Sequence, residues 1–416
     1  MNLFAGIIVF ALVGEWLLEL IADILNLRHF PAAVPAPFAD VYTDEDYAKS
    51  RAYARVTTRF GWVKSIVSLV TLLVFWGLGG FALLNRWVTG LADSGFLASS
   101  IVRGILFISV LAAARVVLSL PFSLYSTFVI EERFGFNKTT LKTFVADLVK
   151  SLLLGALIGW PLLAGVIWFF EVSGDLAWVF CWIFLTLVSL IIHYVAPTWI
   201  MPLFNTFTPL EDGSLKAKIT AFAQKVAFPL RGVYVIDGSR RSSKGNAFFT
   251  GFGRNKRVAL YDTLIEKQTE DQLVGVLAHE IGHYKKKHIL IQLIIGIAQS
   301  GVMLFLLGVF LRSPGLFQAF QLPGDTLPVY AGLIFFSLLF SPVNLVLGIL
   351  MNVLSRKMEY QADRFAAENT GKPEDLAEAL KKLSKDSLSE LSPHPLTVIL
   401  HYSHPPILER LKALTE

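Results

Sequence analysis

Cysteine is almost absent from this sequence. Its only copy, Cys181, lies within a long apolar run, so a disulfide framework and a zinc site built from thiolates are both excluded. Charge is also scarce: 17% of the residues are Asp, Glu, Lys or Arg, whereas a soluble domain carries about 25%. Together with a hydrophobic share of 54%, this scarcity excludes a soluble globule and predicts an integral membrane protein.

Apolar runs long enough to cross the hydrocarbon layer, roughly 30 Å thick, recur along the chain. They lie near residues 3–25, 65–84, 98–121, 151–171, 176–196, 289–311 and 329–352. The first run is not typical of a cleavable signal peptide, because no basic residue precedes it and it carries Glu15, Glu19 and Asp23. The sequence therefore predicts a mainly α, polytopic membrane protein with seven transmembrane helices.

Lysine and arginine are distributed unevenly among the connections. No basic residue precedes the connection 26–64. That connection contains Arg28, Lys49, Arg51, Arg55, Arg59 and Lys64. Because basic residues collect in cytoplasmic loops, we expect the amino terminus outside the cytoplasm, and residues 197–288 and the tail within it. This bias accounts for the net charge of +5, and no nucleic-acid partner is expected.

Acidic residues recur at helical spacing within the first run, at Glu15, Glu19 and Asp23. A carboxylate in hydrocarbon is costly unless it faces protein or water, so one face of this helix is expected to line a wet cavity. Arg115, in the third run, is a second intramembrane charge, and one of these carboxylates is a candidate partner for it. Such a lining also suits a transport path, so a seven-span transporter or channel is the alternative function.

Polar stretches at 26–64, 197–288 and 353–416 interrupt the apolar runs. The sequence thus predicts four parts: transmembrane helices 1–5 with polar loops (1–196), a soluble insert (197–288), transmembrane helices 6 and 7 (289–352) and a helical tail (353–416). Within the insert, β-branched and aromatic runs at 231–237, 246–251 and 256–261 predict a small sheet. The insert is therefore expected to form a small α+β region.

The insert ends with the HExxH motif His279-Glu280-Ile281-Gly282-His283. Histidines four residues apart project from one face of a helix, so both imidazoles can bind one Zn²⁺ while Glu280 faces the water on it. The motif is expected in a helix that runs directly into the sixth span. The pattern predicts a metallohydrolase with one Zn²⁺ per chain in a zincin-like α+β region.

A catalytic zinc takes three protein ligands and keeps a fourth position open. Glu359, in the EYQAD segment of the tail, is the candidate third ligand. Asp363 lies four residues later on the same helix face, suited to a hydrogen bond to a ligand histidine. Since two spans separate HExxH from Glu359, both are expected on the same side of the bilayer, near the cytoplasmic membrane interface.

This set of residues favours peptide hydrolysis. Glu280 is the candidate general base that takes a proton from the attacking water and gives it to the departing amine. His404, in HYSHPP, is the candidate donor to the oxyanion. Asn246, beside a predicted strand, is the candidate for holding the backbone of an extended substrate. The sequence thus predicts a zinc metalloendopeptidase that acts on a peptide or protein.

Longer motifs resemble those of the type I CAAX prenyl proteases. They are HEIGH, EYQAD, NAFFTGF, MPLFNTFTPLEDG at 201–213, EERFGFNKTT at 131–140 and SHPPILERL at 403–411. The resemblance implies seven helices around a large water-filled chamber, and removal of the last three residues of C-terminally prenylated proteins. It also implies zinc on His279, His283 and Glu359, the base on Glu280, and substrate or transition-state contacts from Asn246 and His404.

Two further expectations concern the membrane. The resemblance implies the endoplasmic reticulum membrane in a eukaryote or the inner membrane in a bacterium, and the ending LKALTE, without a lysine retrieval signal, favours the bacterial case. The rival among enzymes is an intramembrane protease of the site-2 type, which would place HExxH inside a span. Lys285, Lys286 and Lys287 directly follow the motif and favour a position at the bilayer boundary.

Overall fold

The computed structural model of the chain describes residues 2–91, 94–250 and 256–415. Its α-helices are α1 (Leu3–His29), α2 (Asp44–Gly77), α3 (Gly80–Thr89), α4 (Ser100–Tyr125), α5 (Leu141–Val172), α6 (Ala177–Val195), α7 (Ser214–Lys225), α8 (Asp262–Ile265), α9 (Glu270–Lys285), α10 (His288–Phe310), α11 (Pro314–Ala319), α12 (Val329–Leu339), α13 (Ser341–Thr370), α14 (Pro373–Asp386), α15 (Pro395–His401) and α16 (Ile407–Thr415). Two π-helices, Ser126–Glu131 and Ala196–Ile200, extend α4 and α6.

Within the described ranges, six helices are long and apolar enough to cross a membrane: α1, α2, α4, α5, α6 and α10. α12 and α13, which are bent by 56° relative to each other, give a seventh if the pair is counted as one broken span. The predicted mainly α, polytopic membrane protein is thereby confirmed, with six or seven candidate spans. In the most apolar part of each of the six single spans, only 6% to 17% of the residues are buried inside the protein. Most residues of these spans are therefore accessible from outside the packed protein, as expected for surfaces that face lipid or water.

The connection predicted as polar at 26–64 is helical in its second half, because α2 begins at Asp44. The Thr43 side chain accepts from the Asp46 N–H, and the Asp46 carboxylate accepts from the Thr43 N–H in return, which is a capping box. The 34 residues of α2 extend about 51 Å at 1.5 Å per residue, so α2 projects well beyond the bilayer. The predicted second span, 65–84, is interrupted at Gly79, whose φ is 74°.

The seventh span is broken where the sequence predicted one run. Pro342 stands in the first turn of α13. Proline is tolerated at this position because an N–H there would have no partner within the helix, but proline cannot continue the hydrogen-bonding pattern of α12. Beyond the break, α13 runs without interruption to Thr370. The tail helix predicted to start after the span is therefore the second half of a helix that begins in the membrane, and it holds Glu359 rigidly.

The predicted continuous passage from the HExxH helix into the sixth span is wrong. α9 ends at Lys285, and Lys287 adopts a left-handed backbone with φ of 60° before α10 starts at His288. This conformation ends a helix, so the catalytic helix and the span are separate rigid elements. The motif lies entirely in α9, outside the candidate spans of the described residues.

Four strands form one small mixed sheet in the order β1 (Phe207–Pro209), β2 (Leu230–Ile236), β4 (Lys256–Tyr261) and β3 (Ala247–Thr250). β2 and β4 are parallel, and the other pairs are antiparallel. The three predicted strands are found within a residue of their predicted ends, except that Gly251 lies outside the described residues. β1 was missed because it is three residues long and contains proline. β3 is an edge strand beside α9.

Close approach of α9 and α13 brings the two parts of the candidate site together. A Cβ added to Gly282 would lie 3.1 Å from both the Cα and the carbonyl oxygen of Ala362, so any larger residue would push the two helices apart by a few tenths of an ångström. Around the contact, a continuous apolar core joins α7, α9, α13, α14 and α16 to the sheet. The helix with HExxH is thus packed against the helix that carries Glu359.

Two of the three acidic residues of α1, Glu19 and Asp23, have partners on neighbouring elements. Glu19 Oε2 lies 2.7 Å from His401 Nε2, and Asp23 accepts a hydrogen bond of 2.9 Å from the indole N–H of Trp62. Within the described residues, Arg115 forms no ion pair with the α1 carboxylates, and it is exposed. The candidate pairing of Arg115 with one of these carboxylates is therefore wrong.

Candidate active site

Side chains from α9 and α13 converge on one point. His279 Nε2 lies 3.1 Å from His283 Nε2. Glu359 lies 3.4 Å from His279 Nε2 through Oε2 and 3.2 Å from His283 Nε2 through Oε1. Nitrogen and oxygen ligands at about 2.0–2.1 Å from a tetrahedral zinc are separated by roughly 3.3 Å. The three observed separations are close to that value, with a different oxygen of Glu359 facing each histidine.

The chemistry of this donor set also fits a cation. Glu359 is 3% exposed, and its Oε2 is buried without a hydrogen-bond partner among the described residues. A buried carboxylate is costly unless a charge or donor compensates it. Two imidazoles and this carboxylate form the one group of potential ligands found close together in the described part of the chain, and a divalent ion would satisfy them.

Asp363 lies behind His279, where the sequence predicted it. Its Oδ1 is 2.7 Å from His279 Nδ1, which leaves Nε2 free to face the metal position. Burial opposes protonation of His279, but the Asp363 and Glu359 carboxylates beside its two ring nitrogens raise its pKa to about 9. A metal ion would therefore compete with a proton for this side chain.

Arg410 is a part of the site that the sequence reasoning missed. It is 7% exposed and donates to both carboxylate oxygens of Asp363, at 2.9 Å and 2.7 Å. Its Nη1 lies 3.8 Å from Glu359 Oε2. This bidentate pair fixes the Asp363 carboxylate and compensates a second buried negative charge. Arg410 belongs to SHPPILERL, so the signal was present in the motif that supplied His404.

Glu280 lines a small cavity, of about 130 Å³, next to the converging ligands. Asn246, His279, His404 and Arg410 are among the other residues that line it. Burial raises the pKa of Glu280 above its ordinary value, as suits a group that exchanges protons near neutral pH. The structure thus brings the carboxylate, the metal position and both candidate substrate contacts around one space.

His404 and Asn246 both line that cavity. His404 Nε2 lies 3.3 Å from Glu359 Oε1, and its side chain is 61% exposed, so it reaches the open side of the metal position. Partial desolvation by the surrounding protein lowers the pKa of His404. Asn246 directly precedes β3, and its Oδ1 accepts from the Ala247 N–H at 2.8 Å.

A cluster of contacts from the membrane domain holds the loop before β3. Lys244 Nζ lies 3.3 Å from Glu131 Oε2 and 3.1 Å from the Tyr53 hydroxyl oxygen. It also lies 4.1 Å from the centroid of the Phe136 ring, within cation–π range. These partners come from α2 and from the segment EERFGFNKTT. The position of Asn246 therefore depends on the amino-terminal helices as well as on the sheet.

Comparison with known proteins gives two family matches along the chain. Residues 23–206 match the family described as CAAX prenyl protease N-terminal, five membrane helices, and residues 209–416 match peptidase family M48. The chain is 38% identical to a CAAX prenyl protease 1 homolog of Arabidopsis thaliana, over 94% of this chain and 93% of the relative. It is 35% identical to the CAAX prenyl protease 1 homolog of Homo sapiens, over 92% and 88% respectively. The crystal structure of S. mikatae Ste24p is similar at a TM-score of 0.94 and 33% identity, and the match covers 100% of both chains.

Proposed function

Since this chain belongs to peptidase family M48, a family of metallopeptidases, and is a membrane protein, we propose that it is a zinc endopeptidase that trims the carboxyl terminus of prenylated proteins. The family excludes the transporter or channel that the intramembrane carboxylates left open. The observation that carries the proposal is the convergence of His279, His283 and Glu359, whose ligand atoms approach one another to between 3.1 and 3.4 Å.

In the proposed centre, His279, His283 and Glu359 hold one Zn²⁺, and Asp363 orients His279. The ion supplies Lewis acidity at the scissile carbonyl and lowers the pKa of a water. The Glu280 carboxylate takes a proton from the attacking water and transfers it to the departing nitrogen. The His404 imidazole lies on the open side of the centre, from where it can donate to the developing oxyanion.

The substrate is proposed to lie along β3 in an extended conformation. β3 pairs with β4 on one side, and its other edge offers backbone donors and acceptors to a peptide. Asn246, at the start of this edge and within the cavity that contains Glu280, would hold the peptide backbone beside the scissile bond. The edge thus sets the direction of the chain across the metal centre.

The names of the relatives support the substrate class. The matched proteins are CAAX prenyl proteases, and a peptide with a lipid-modified cysteine suits an enzyme whose catalytic region adjoins the bilayer. The basic residues of the 26–64 connection and of the insert support a cytoplasmic position for the site. Removal of the carboxyl-terminal tripeptide is the proposed reaction.

Matched farnesylated and unmodified CAAX peptides would test this proposal, with products of the purified protein identified by mass spectrometry. We expect release of the tripeptide, faster from the farnesylated peptide. Equal cleavage rates for the two peptides would indicate a general peptidase without a preference for prenylated substrates. Absence of cleavage from both, by protein that contains stoichiometric zinc, would overturn the substrate class.

A further inference from the structure

A buried histidine stands behind His283, opposite the metal position. His288 is 2% exposed, and its Nδ1 lies 3.0 Å from His283 Nδ1. Its other ring nitrogen, Nε2, lies 2.9 Å from Gln361 Oε1. The two imidazole rings are 5.1 Å apart between centroids and inclined at 74°, so the contact joins ring edges rather than faces. Neither His288 nor Gln361 belongs to the ligand set.

The hydrogen positions along this chain follow from the direction in which His283 faces. Its Nε2 points toward His279 and Glu359, so a bound metal would take the lone pair on Nε2. The proton of neutral His283 is then on Nδ1, and this N–H donates to His288. His288 must accept on Nδ1, which puts its own proton on Nε2, where the Gln361 oxygen accepts it. Each group has one role in this arrangement.

The positions of His288 and Gln361 in their helices explain how the contact with His283 is maintained. His288 is the first residue of α10 and follows Lys287, whose left-handed backbone separates α9 from α10. Gln361 lies on α13, two residues after Glu359. The turn after the catalytic helix therefore places the first side chain of the sixth span between both metal-binding helices.

We propose that His288 and Gln361 are positioning residues, which fix the tautomer and ring orientation of His283 for metal binding. The inference rests on the metal centre assigned under the proposed function. His279 is oriented by a carboxylate, Asp363, that is paired with Arg410. His283 is instead oriented by a chain of neutral groups, from His283 through His288 to Gln361, which we call the relay. Partners of this kind change metal affinity by about 10- to 100-fold when removed.

Zinc affinity of the metal-stripped full-length protein, measured by competition with a chelator, tests the relay. His288→Phe keeps a ring but removes the acceptor, so we expect the dissociation constant for zinc to rise by about 10- to 100-fold. Gln361→Met is expected to weaken binding in the same direction. His288→Asn restores a carbonyl acceptor for the His283 N–H, and its affinity is expected to return toward that of the unmodified protein.

His193→Phe is the matched control, because His193 is exposed and its Nδ1 contacts the backbone oxygen of Ser189 in its own helix. Equal zinc affinity in His288→Phe, Gln361→Met and this control would overturn the relay. Equal weakness of His288→Asn and His288→Phe would do the same, since packing alone would then explain the loss. If His288→Phe fails to fold, the asparagine and methionine variants decide.

His283→Ala separates this inference from the proposed function. Stoichiometric zinc in His283→Ala would show that the metal centre itself is wrong. Loss of zinc in that variant, together with unmodified affinity in His288→Phe, would remove only the relay.

Discussion

Glu280 lies beside the metal position without being one of the three side chains that converge on it. Gln is its neutral isostere, so E280Q removes the proton acceptor and preserves the shape of the cavity. We expect kcat to fall by at least about 10²-fold, with zinc content near that of the unmodified protein. Peptide cleavage and elemental analysis of one preparation measure both quantities. Loss of zinc from E280Q, as expected for His279→Ala, would contradict the separate roles.

The protonation of His279 gives zinc binding a pH dependence. Because hydrogen bonds raise the pKa of His279 to about 9, the metal-free side chain is protonated at neutral pH and must lose this proton to bind zinc. We expect the zinc association constant to rise by about tenfold per pH unit below the raised pKa, and to level off above it. Chelator competition between pH 6 and 10 measures the slope, and a flat profile below pH 9 would contradict it.

Sequence reasoning located the residues of the site whose spacing is local. His279, Glu280 and His283 share a helix face, and the same spacing relates Glu359 to Asp363. Arg410 was not identified from the sequence, and His288 was read as structural, because their contacts with the site are tertiary: Arg410 is separated from His279 by 131 positions. A buried arginine cannot be distinguished from a solvated one by local pattern alone.

At the scale of helices, the contact between α9 and α13 determines the geometry of the metal position. Gly282→Ala would place a methyl group 3.1 Å from the Ala362 backbone, so the helices must separate by a few tenths of an ångström. We expect kcat/KM to fall by about tenfold and the protein to lose about 1–3 kcal/mol of stability. Cleavage kinetics and thermal unfolding in detergent measure these effects.

Gly296→Ala is the matched control for that contact, since it lies inside α10 with no atom within 4 Å of the added Cβ. Alanine is a better helix former than glycine by about 1 kcal/mol, so this control is expected to be neutral or stabilising. An equally neutral Gly282→Ala would mean that the close approach of the two helices does not set the position of Glu359.

The helices themselves followed from the sequence, but their breaks did not. Apolar runs of sufficient length predict spans, because every backbone group must be bonded within the bilayer. The interruption at Lys287 depends on a left-handed backbone at a lysine, which no local propensity favours. The bend between α12 and α13 was readable in principle from Pro342. The boundaries of the helices thus depend on tertiary packing or turn conformation, whereas the approximate number of spans can be predicted from the apolar runs alone.

For the whole molecule, the metal site requires that the insert and the tail lie on one side of the bilayer. Two spans separate α9 from the second half of α13, and the connection between these spans must lie on the opposite side. Cys181 is the only cysteine and is buried, so Cys181→Ser provides a background in which one introduced thiol reports its own location. Asp212, Asp325 and Glu374 are exposed positions for such thiols.

An impermeant maleimide applied to intact cells distinguishes the two sides. Because basic residues favour the cytoplasmic side for the insert and the tail, we expect Asp325→Cys to be labelled in intact cells. Asp212→Cys and Glu374→Cys are expected to react only after permeabilisation. Labelling of Asp212→Cys and Glu374→Cys on different sides would separate His279 from Glu359 by the membrane, and a shared metal ion would then be impossible. Labelling of both in intact cells would instead preserve the site and reverse its orientation.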